Sequence, residues 1–211
     1  MIEQKKHMAK RNVAANYKVP RKVTRKSLEN SAFYYLRRYS SSSENLRRIL
    51  FKRAKRSAQY HGTDVSAGQL WVNEIIEKFL ANKLLDDIRY AETKCLSVHR
   101  KGGSKQTIRK KLQEKGIAPD IIEQTFTLLD QYSIDPELIA AAITARRRRL
   151  GPYRSRGHRN NFRERDLAFL ARAGFNYSIA SWVIDVETVD HLEKDLGLLI
   201  GEEKFACSIC Q

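Results

Sequence analysis

The chain has 211 residues, enough for one large or two small domains, and 42% of them are hydrophobic, enough for a folded core. Lys and Arg number 40 against 24 Asp and Glu, and the resulting formal charge of +16 favours polyanions, chiefly nucleic acid, or an acidic protein groove. Three Cys, the lack of an apolar run of membrane-spanning length, and an opening MIEQKKHMAKRN without an apolar core weigh against a secreted scaffold, a membrane protein and a signal peptide, so a soluble, reduced, cytoplasmic protein is expected.

Residues 1–26 carry nine Lys or Arg against the lone Glu3 and read as a disordered basic arm. Within it Lys18, Arg21, Lys22, Arg25 and Lys26 are candidate nucleic-acid contacts. Helical spacing begins at Ser27, with Leu28, Ala32, Tyr35, Leu36 and Tyr39 on one face. Ser41 and Glu44 have the spacing of a capping box for a second helix that turns Leu46, Ile49, Leu50 and Ala54 inward. Ser66 and Gln69 repeat that spacing before a third helix, with Val72, Ile75, Ile76, Phe79 and Leu80 on its buried side. These helices make a first unit, residues 27–85.

A second unit, 86–131, opens at Asp86 or Asp87, whose carboxylates suit a helix N-terminus, and continues through Ile88, Ala91, Cys95 and Val98 until Gly102-Gly103 breaks it. A helix from Ser104 to Lys115 follows, then one from Pro119 with Ile122, Thr125, Phe126 and Leu129 inward. The third unit, 132–185, starts at Asp135-Pro136, passes Leu138, Ala142 and Ala145, and dissolves into Arg146, Arg147, Arg148 and Arg149. An irregular basic stretch to Asn161 leads to two short helices near 163–173 and 176–185. Residues 186–211 reverse the charge balance and are expected to lie outside the repeats as an acidic tail.

The strongest signal is a segment written twice, LQEKGIAPDI at 112–121 and LARAGFNYSI at 170–179. In both, a Leu precedes a Gly by four residues and an apolar residue follows it, as at a helix end where Gly takes the left-handed conformation and the next side chain packs back. Gly116 and Gly174 are therefore expected to be left-handed. A degenerate copy upstream, Leu46-Arg47-Arg48-Ile49-Leu50 against Ile108-Arg109-Lys110-Lys111-Leu112, lacks the Gly, so its helix is expected to run on. One three-helix unit buries little, whereas stacked units share apolar faces, so the expected fold is all-α, three tandem three-helix repeats in an elongated array.

Arg47, Arg48, Lys52 and Arg53 crowd the side of a helix opposite its apolar stripe, and Arg109, Lys110 and Lys111 repeat the arrangement. A solvated face is the default reading of such charge, but few acids are interleaved to form opposite-charge pairs, which favours a binding surface. The run Arg146, Arg147, Arg148 and Arg149, with Arg154, Arg156 and Arg159 beyond it, exceeds what a helix dipole requires. Guanidinium groups fork onto phosphate and carboxylate alike, so DNA and an acidic partner both remain open. Cys207-x-x-Cys210 is half a zinc site with only His191 near, Cys95 falls on an apolar face, and the five His lack partners at catalytic spacing, so no metal, cofactor or enzymatic activity is expected. The stretch 100–105 lacks the Walker spacing and reads as a helix break. Of Phe33, Tyr34, Tyr35, Tyr39 and Tyr90, only Tyr34 is expected to face outward.

The run LLDDIRYAETKCLSVHRKGGSKQTIRKKLQEKGIAPDIIEQ at 84–124 resembles the central repeat of the RecX regulatory proteins of bacteria. SSENLRRIL at 42–50 and RDLAFLARAGFNYSIASWVI at 165–184 resemble other parts of that family. The specific points are Asp87-x-x-Tyr90-Ala91, Arg100-x-Gly102, Leu112-x-x-Lys115-Gly116-Ile117 and Leu170-x-x-x-Gly174-Phe175. This resemblance implies a curved, non-enzymatic array that binds the RecA recombinase filament along its groove and restrains its ATPase, growth and strand exchange in recombination and repair. The basic residues of the repeat helices, together with Arg100, are then candidate contacts to that partner, DNA is a second expected partner, and the chain is expected to act as a monomer. The competing reading is a general basic helical repeat that binds DNA or RNA without recombinase specificity. The long arm, the Arg-rich insertion and the acidic Cys-containing tail depart from the family pattern.

Overall fold

The computed structural model describes residues 19–132, 135–155 and 157–196; Lys18, Arg156, Cys207 and Cys210 lie outside them. All regular structure among the described residues is helical, as tandem helical repeats require. The first unit contains α1 (Arg25–Leu36), α2 (Ser43–His61) and α3 (Val65–Ala81) around a core of Leu28, Ala32, Leu46, Leu50, Ala54, Val72, Ile75, Ile76 and Phe79. Thr24 caps α1 in a complete capping box with Ser27, so Arg25 and Lys26 are helical and do not belong to a disordered arm. Residues 20–24 are strapped onto α2: Ser57 Oγ accepts the Val23 N–H at 3.0 Å, and His61 Nε2 lies 2.7 Å from the Pro20 carbonyl.

Two caps differ from expectation. Ser42, not Ser41, caps α2 by accepting the Asn45 N–H, and Asp64, not Ser66, caps α3 by accepting the Ser66 N–H at 2.8 Å. The α2 helix does run on, ending at left-handed Gly62. The apolar stripes are narrower than the periodicity implies, because Tyr39, Ile49, Leu80 and Ile88 are exposed, and Phe33 joins Tyr34 outside.

The second unit contains α4 (Asp87–His99), α5 (Lys105–Glu114) and α6 (Pro119–Tyr132), with Asp86 and Ser104 as caps and Ile108, Leu112, Ile117, Ile122 and Leu129 in its core. The third contains α7 (Pro136–Arg148), capped by Asp135, then α8 (Arg163–Arg172) and α9 (Tyr177–Asp185). Arg146, Arg147 and Arg148 form the last turn of α7, where cations suit the carbonyl end of the dipole, and Arg149 closes it in the left-handed region at φ 57°. Two 3-10 turns, Gly151–Tyr153 and Arg159–Phe162, give the basic insertion more regularity than its composition suggests. Residues 187–196 do not leave the array. Thr188 caps α10 (Val189–Asp195), whose Leu192 is fully buried in the third core, with Leu196 packed against it, and Glu193 accepts the Tyr153 hydroxyl at 3.1 Å.

The units are joined twice by the same device. Ser42 Oγ donates to the Lys115 carbonyl at 2.5 Å, and Ser104 Oγ donates to the Ala173 carbonyl at 2.6 Å. Each serine thus caps its own helix and also satisfies a carbonyl in the α5–α6 or α8–α9 turn of the next unit. The first N–H of each capped helix is taken by a carboxylate of that next unit: Ser43 N donates to Asp87 Oδ1 at 2.7 Å, and Lys105 N to Glu137 Oε2 at 3.0 Å. Left-handed Gly116 and Gly174 lie under these helix starts, where a Cβ would overlap Glu44 in one joint and meet Ser104 Oγ at 2.8 Å in the other.

Gly62 has a similar positive φ, but nothing lies within 4 Å of the Cβ position. Gly62→Ala is therefore expected to lose only about 1 kcal/mol from backbone strain. Gly116→Ala and Gly174→Ala should each lose about 3 kcal/mol, because overlap at the joint adds to the strain. Urea unfolding measures this, and equal losses at all three positions would show that the joints do not press on the glycines.

Candidate functional site

The basic residues predicted to meet a partner fall into two groups. Arg47 and Arg48 both pair with Glu44, at 2.6 and 3.0 Å, and Arg48 also donates to the Glu114 carbonyl across the first joint at 2.9 Å. Arg109 pairs with Glu123 on α6 and lies over the Phe126 ring, 5.0 Å from its centroid. These three arginines have the acidic partners that seemed scarce, because the acids stand one turn earlier or on the neighbouring helix. Lys52 and Arg53 on α2, and Lys110 and Lys111 on α5, are exposed and carry no ion pair among the described residues. Arg100 is exposed at the end of α4.

The candidate nucleic-acid contacts separate in the same way. Arg154 turns inward: it pairs with the buried Asp166 at 2.5 Å and lies over the Phe162 ring, while Asp166 also accepts the Gly151 N–H. Its Nε is buried without a partner among the described residues, so this arginine serves the fold. Arg159 donates to the Ile184 and Glu187 carbonyls and closes the end of α9. Arg25 pairs with Glu74 at 2.8 Å. Arg21, Lys22, Lys26, Arg146, Arg147, Arg148 and Arg149 remain exposed.

Two clefts collect these exposed cations. One, of about 240 Å³, is walled by Arg21, Arg53 and Arg56 where residues 20–23 cross α2. The other, of about 300 Å³, lies at the joint of the second and third units and is lined by Lys101, Lys111, Arg147, Arg148 and Phe169. Sequence reasoning missed Lys101 and Phe169, and it assigned Lys111 and the arginines to different surfaces; only the docking of α7 and α8 onto the α4–α5 turn brings them together. A third cleft, at the first joint, has a mixed lining that includes Leu36, Tyr39, Ser41, Asp86, Arg89 and Tyr90.

Cys95 and His99 are both occupied by the fold. Burial pushes the Cys95 thiol up to about 12, with Asp130 adding to this and Lys105 opposing it, so it is protonated and packed rather than nucleophilic. His99 lies in the second joint with Nε2 2.7 Å from the Pro136 carbonyl, which fixes Nε2 as the protonated, donating nitrogen. Burial lowers its pKa, and the charge of Lys105 adds to this, against the raising effect of that hydrogen bond. Among the described residues no cluster of three His, Cys, Asp or Glu could hold a metal ion, and no helix is long and apolar enough to cross a membrane.

The chain has relatives in both sequence and fold. A regulatory protein RecX of Myxococcus xanthus is 41% identical over 169 residues, covering 80% of this chain and 89% of the relative. The chain belongs to the RecX family. A second RecX regulatory protein, from Agrobacterium fabrum, is 32% identical over 161 residues, covering 75% of this chain and 82% of its own length. The family profile described as the second three-helix domain of RecX matches residues 86–125, from the cap of α4 into α6. A crystal structure of a regulatory protein RecX is similar in fold, with a TM-score of 0.54 at 19% identity over 77% of this chain and 72% of that one.

Because the folded pKa of His99 lies below its unfolded value, the unfolded chain binds the proton first as pH falls. Stability from this group is complete above about pH 6.5 and is lost as pH drops towards the lowered folded value. The melting temperature should therefore fall between about pH 7.5 and 5.5, and His99→Gln, which keeps a donor for Pro136 but does not titrate, should flatten the profile. A variant with the same slope as the parent would assign the sensitivity elsewhere.

Asp166→Ala strands the Arg154 guanidinium against the third core. It is expected to cost about 3 kcal/mol in urea unfolding, whereas Arg154→Met, which removes the charge and keeps the packing length, should cost less. The opposite order would show that the pair is not what holds the insertion.

Proposed function

We propose that this chain regulates a RecA recombinase filament, binding it and restraining its ATPase, growth and strand exchange without catalysing a reaction itself. The observation that carries this reading is the RecX relationship along most of the chain, with 41% identity over 80% of it to the Myxococcus xanthus relative. The joints give it a physical basis. A filament repeats its subunits at a fixed spacing, so a partner that touches several at once benefits from contact surfaces held in fixed relation. The helix starts of α2 and α5 are bonded into the following units, which holds Lys52 and Arg53 at a set position relative to Lys110 and Lys111. The competing reading, a basic repeat that binds any nucleic acid, draws on the same exposed cations.

The discriminating experiment is DNA-dependent ATPase of RecA with increasing amounts of this protein, alongside its affinity for bare DNA at the same salt. Inhibition is expected at salt concentrations that already release the protein from bare DNA. Lys52→Glu, Arg53→Glu, Lys110→Glu and Lys111→Glu together should raise the half-inhibitory concentration at least about tenfold with unchanged helicity, since among the described residues these four carry no ion pair whose loss would disturb the fold. Inhibition that vanishes in step with DNA binding as salt rises would favour the general nucleic-acid binder.

A further inference from the structure

We propose that the cleft between the second and third units binds the sugar–phosphate backbone of single-stranded DNA. The inference concerns nucleic acid alone and stands whether or not the partner protein is RecA. Lys101 and Lys111 come from one unit, Arg147 and Arg148 from the next, and no carboxylate lies among the lining residues. None of the four is ion-paired among the described residues, in contrast to Arg154, Arg159 and Arg163, which all have acceptors. Arg148 is steadied over the Phe169 ring, 5.5 Å from its centroid, so its guanidinium keeps one orientation without spending its charge on a protein acid. Four like charges converging on so small a volume repel one another, and an anion placed among them relieves that repulsion.

The other polar groups of the cleft decide which anion. The Gly102 and Gly103 N–H groups go to the His99 and Val98 carbonyls, and the Thr107 and Thr144 hydroxyls donate to the Ala173 and Gly102 carbonyls. The cleft thus presents cationic donors while its backbone and hydroxyl donors are already engaged. An extended peptide brings N–H groups that need acceptors, whereas a phosphodiester linkage brings only acceptors and matches this lining. The apolar walls from Val98, Phe169 and Ala173 suit sugar and base faces, which a single strand exposes and a duplex keeps stacked inside. A bound strand would touch both units and brace the joint.

The test is fluorescence anisotropy of a labelled oligothymidine of about twenty nucleotides with the full chain, at about 50 to 200 mM salt. Lys101→Gln, Lys111→Gln, Arg147→Gln and Arg148→Gln together should weaken binding at least about tenfold and reduce the salt slope by about 3, since each phosphate contact on a single strand accounts for about 0.7. A control with the same charge change at four exposed sites elsewhere, Arg37→Gln, Lys55→Gln, Arg89→Gln and Arg165→Gln, should lose less than about threefold. Circular dichroism checks the fold, and Lys101→Gln with Lys111→Gln alone, both on exposed side chains, should still lose severalfold if the fourfold variant does not fold. Equal losses in cleft and control variants, or none in the cleft variant, would overturn the site. Duplex bound as tightly through the same four residues, or polyglutamate competing as well as the oligonucleotide, would overturn the ligand. Failure to inhibit RecA, with oligothymidine binding intact, would count against the regulatory reading and leave this one standing.

Discussion

The start of a helix has N–H groups that its own backbone cannot satisfy, and this chain uses two such starts as its joints. At α2 and α5 the capping serine turns its hydroxyl hydrogen outward to a carbonyl of the next unit, while a carboxylate from that unit takes the first N–H. The demand is local and the supply comes from the neighbour, so a well-formed helix start and a docked neighbour require each other. The two joints reach the same bond from different residues. Asp87 is the first residue of α4 and Glu137 the second of α7, so the longer side chain makes up for its later position.

This coupling matters because the cores are small. Three clusters of mostly aliphatic side chains, one per unit, share no single centre, and each would be marginal as an isolated domain. Secondary links reinforce the second joint, where Thr144 and His99 tie α7 to the end of α4. Burial disfavours the charged form of both Glu137 and His99 in that region, so its electrostatics oppose full ionisation while its hydrogen bonds favour order. The same packing creates the cationic cleft, which no unit could form alone.

What depended on short-range chemistry was legible in the sequence. Ser104, Asp86, Asp135 and Pro119 open helices as their residue types dictate, and the Gly in each repeated turn is left-handed because few other residues tolerate that φ. What depended on distant partners was not. Four serines in a row, Ser40 to Ser43, are nearly equivalent as caps, and the choice of Ser42 is tied to a carbonyl at Lys115. Counting acids hid the apolar contacts of this segment, made by Leu192 of α10 and by Leu196 just after it. Runs of arginine read alike along the chain, yet Asp166 draws Arg154 inward, Glu44 and Glu123 occupy three others, and 147 and 148 stay exposed. For the candidate site, then, the sequence located charge but not which charges were already engaged.

The joint is a head-to-tail contact, and such contacts invite open-ended polymers unless both ends are blocked. Among the described residues, each end of the array lacks one half of the joint. In the third unit the position of the capping serine is held by Phe162, which makes no capping hydrogen bond, and Arg163 instead pairs with Asp185 of its own unit. In the first unit the corresponding glycine turn is displaced to the far end of the lengthened α2, where Gly62 faces open space. The bond that stacks the units within the chain is therefore not offered in full by the described residues at either end of the array.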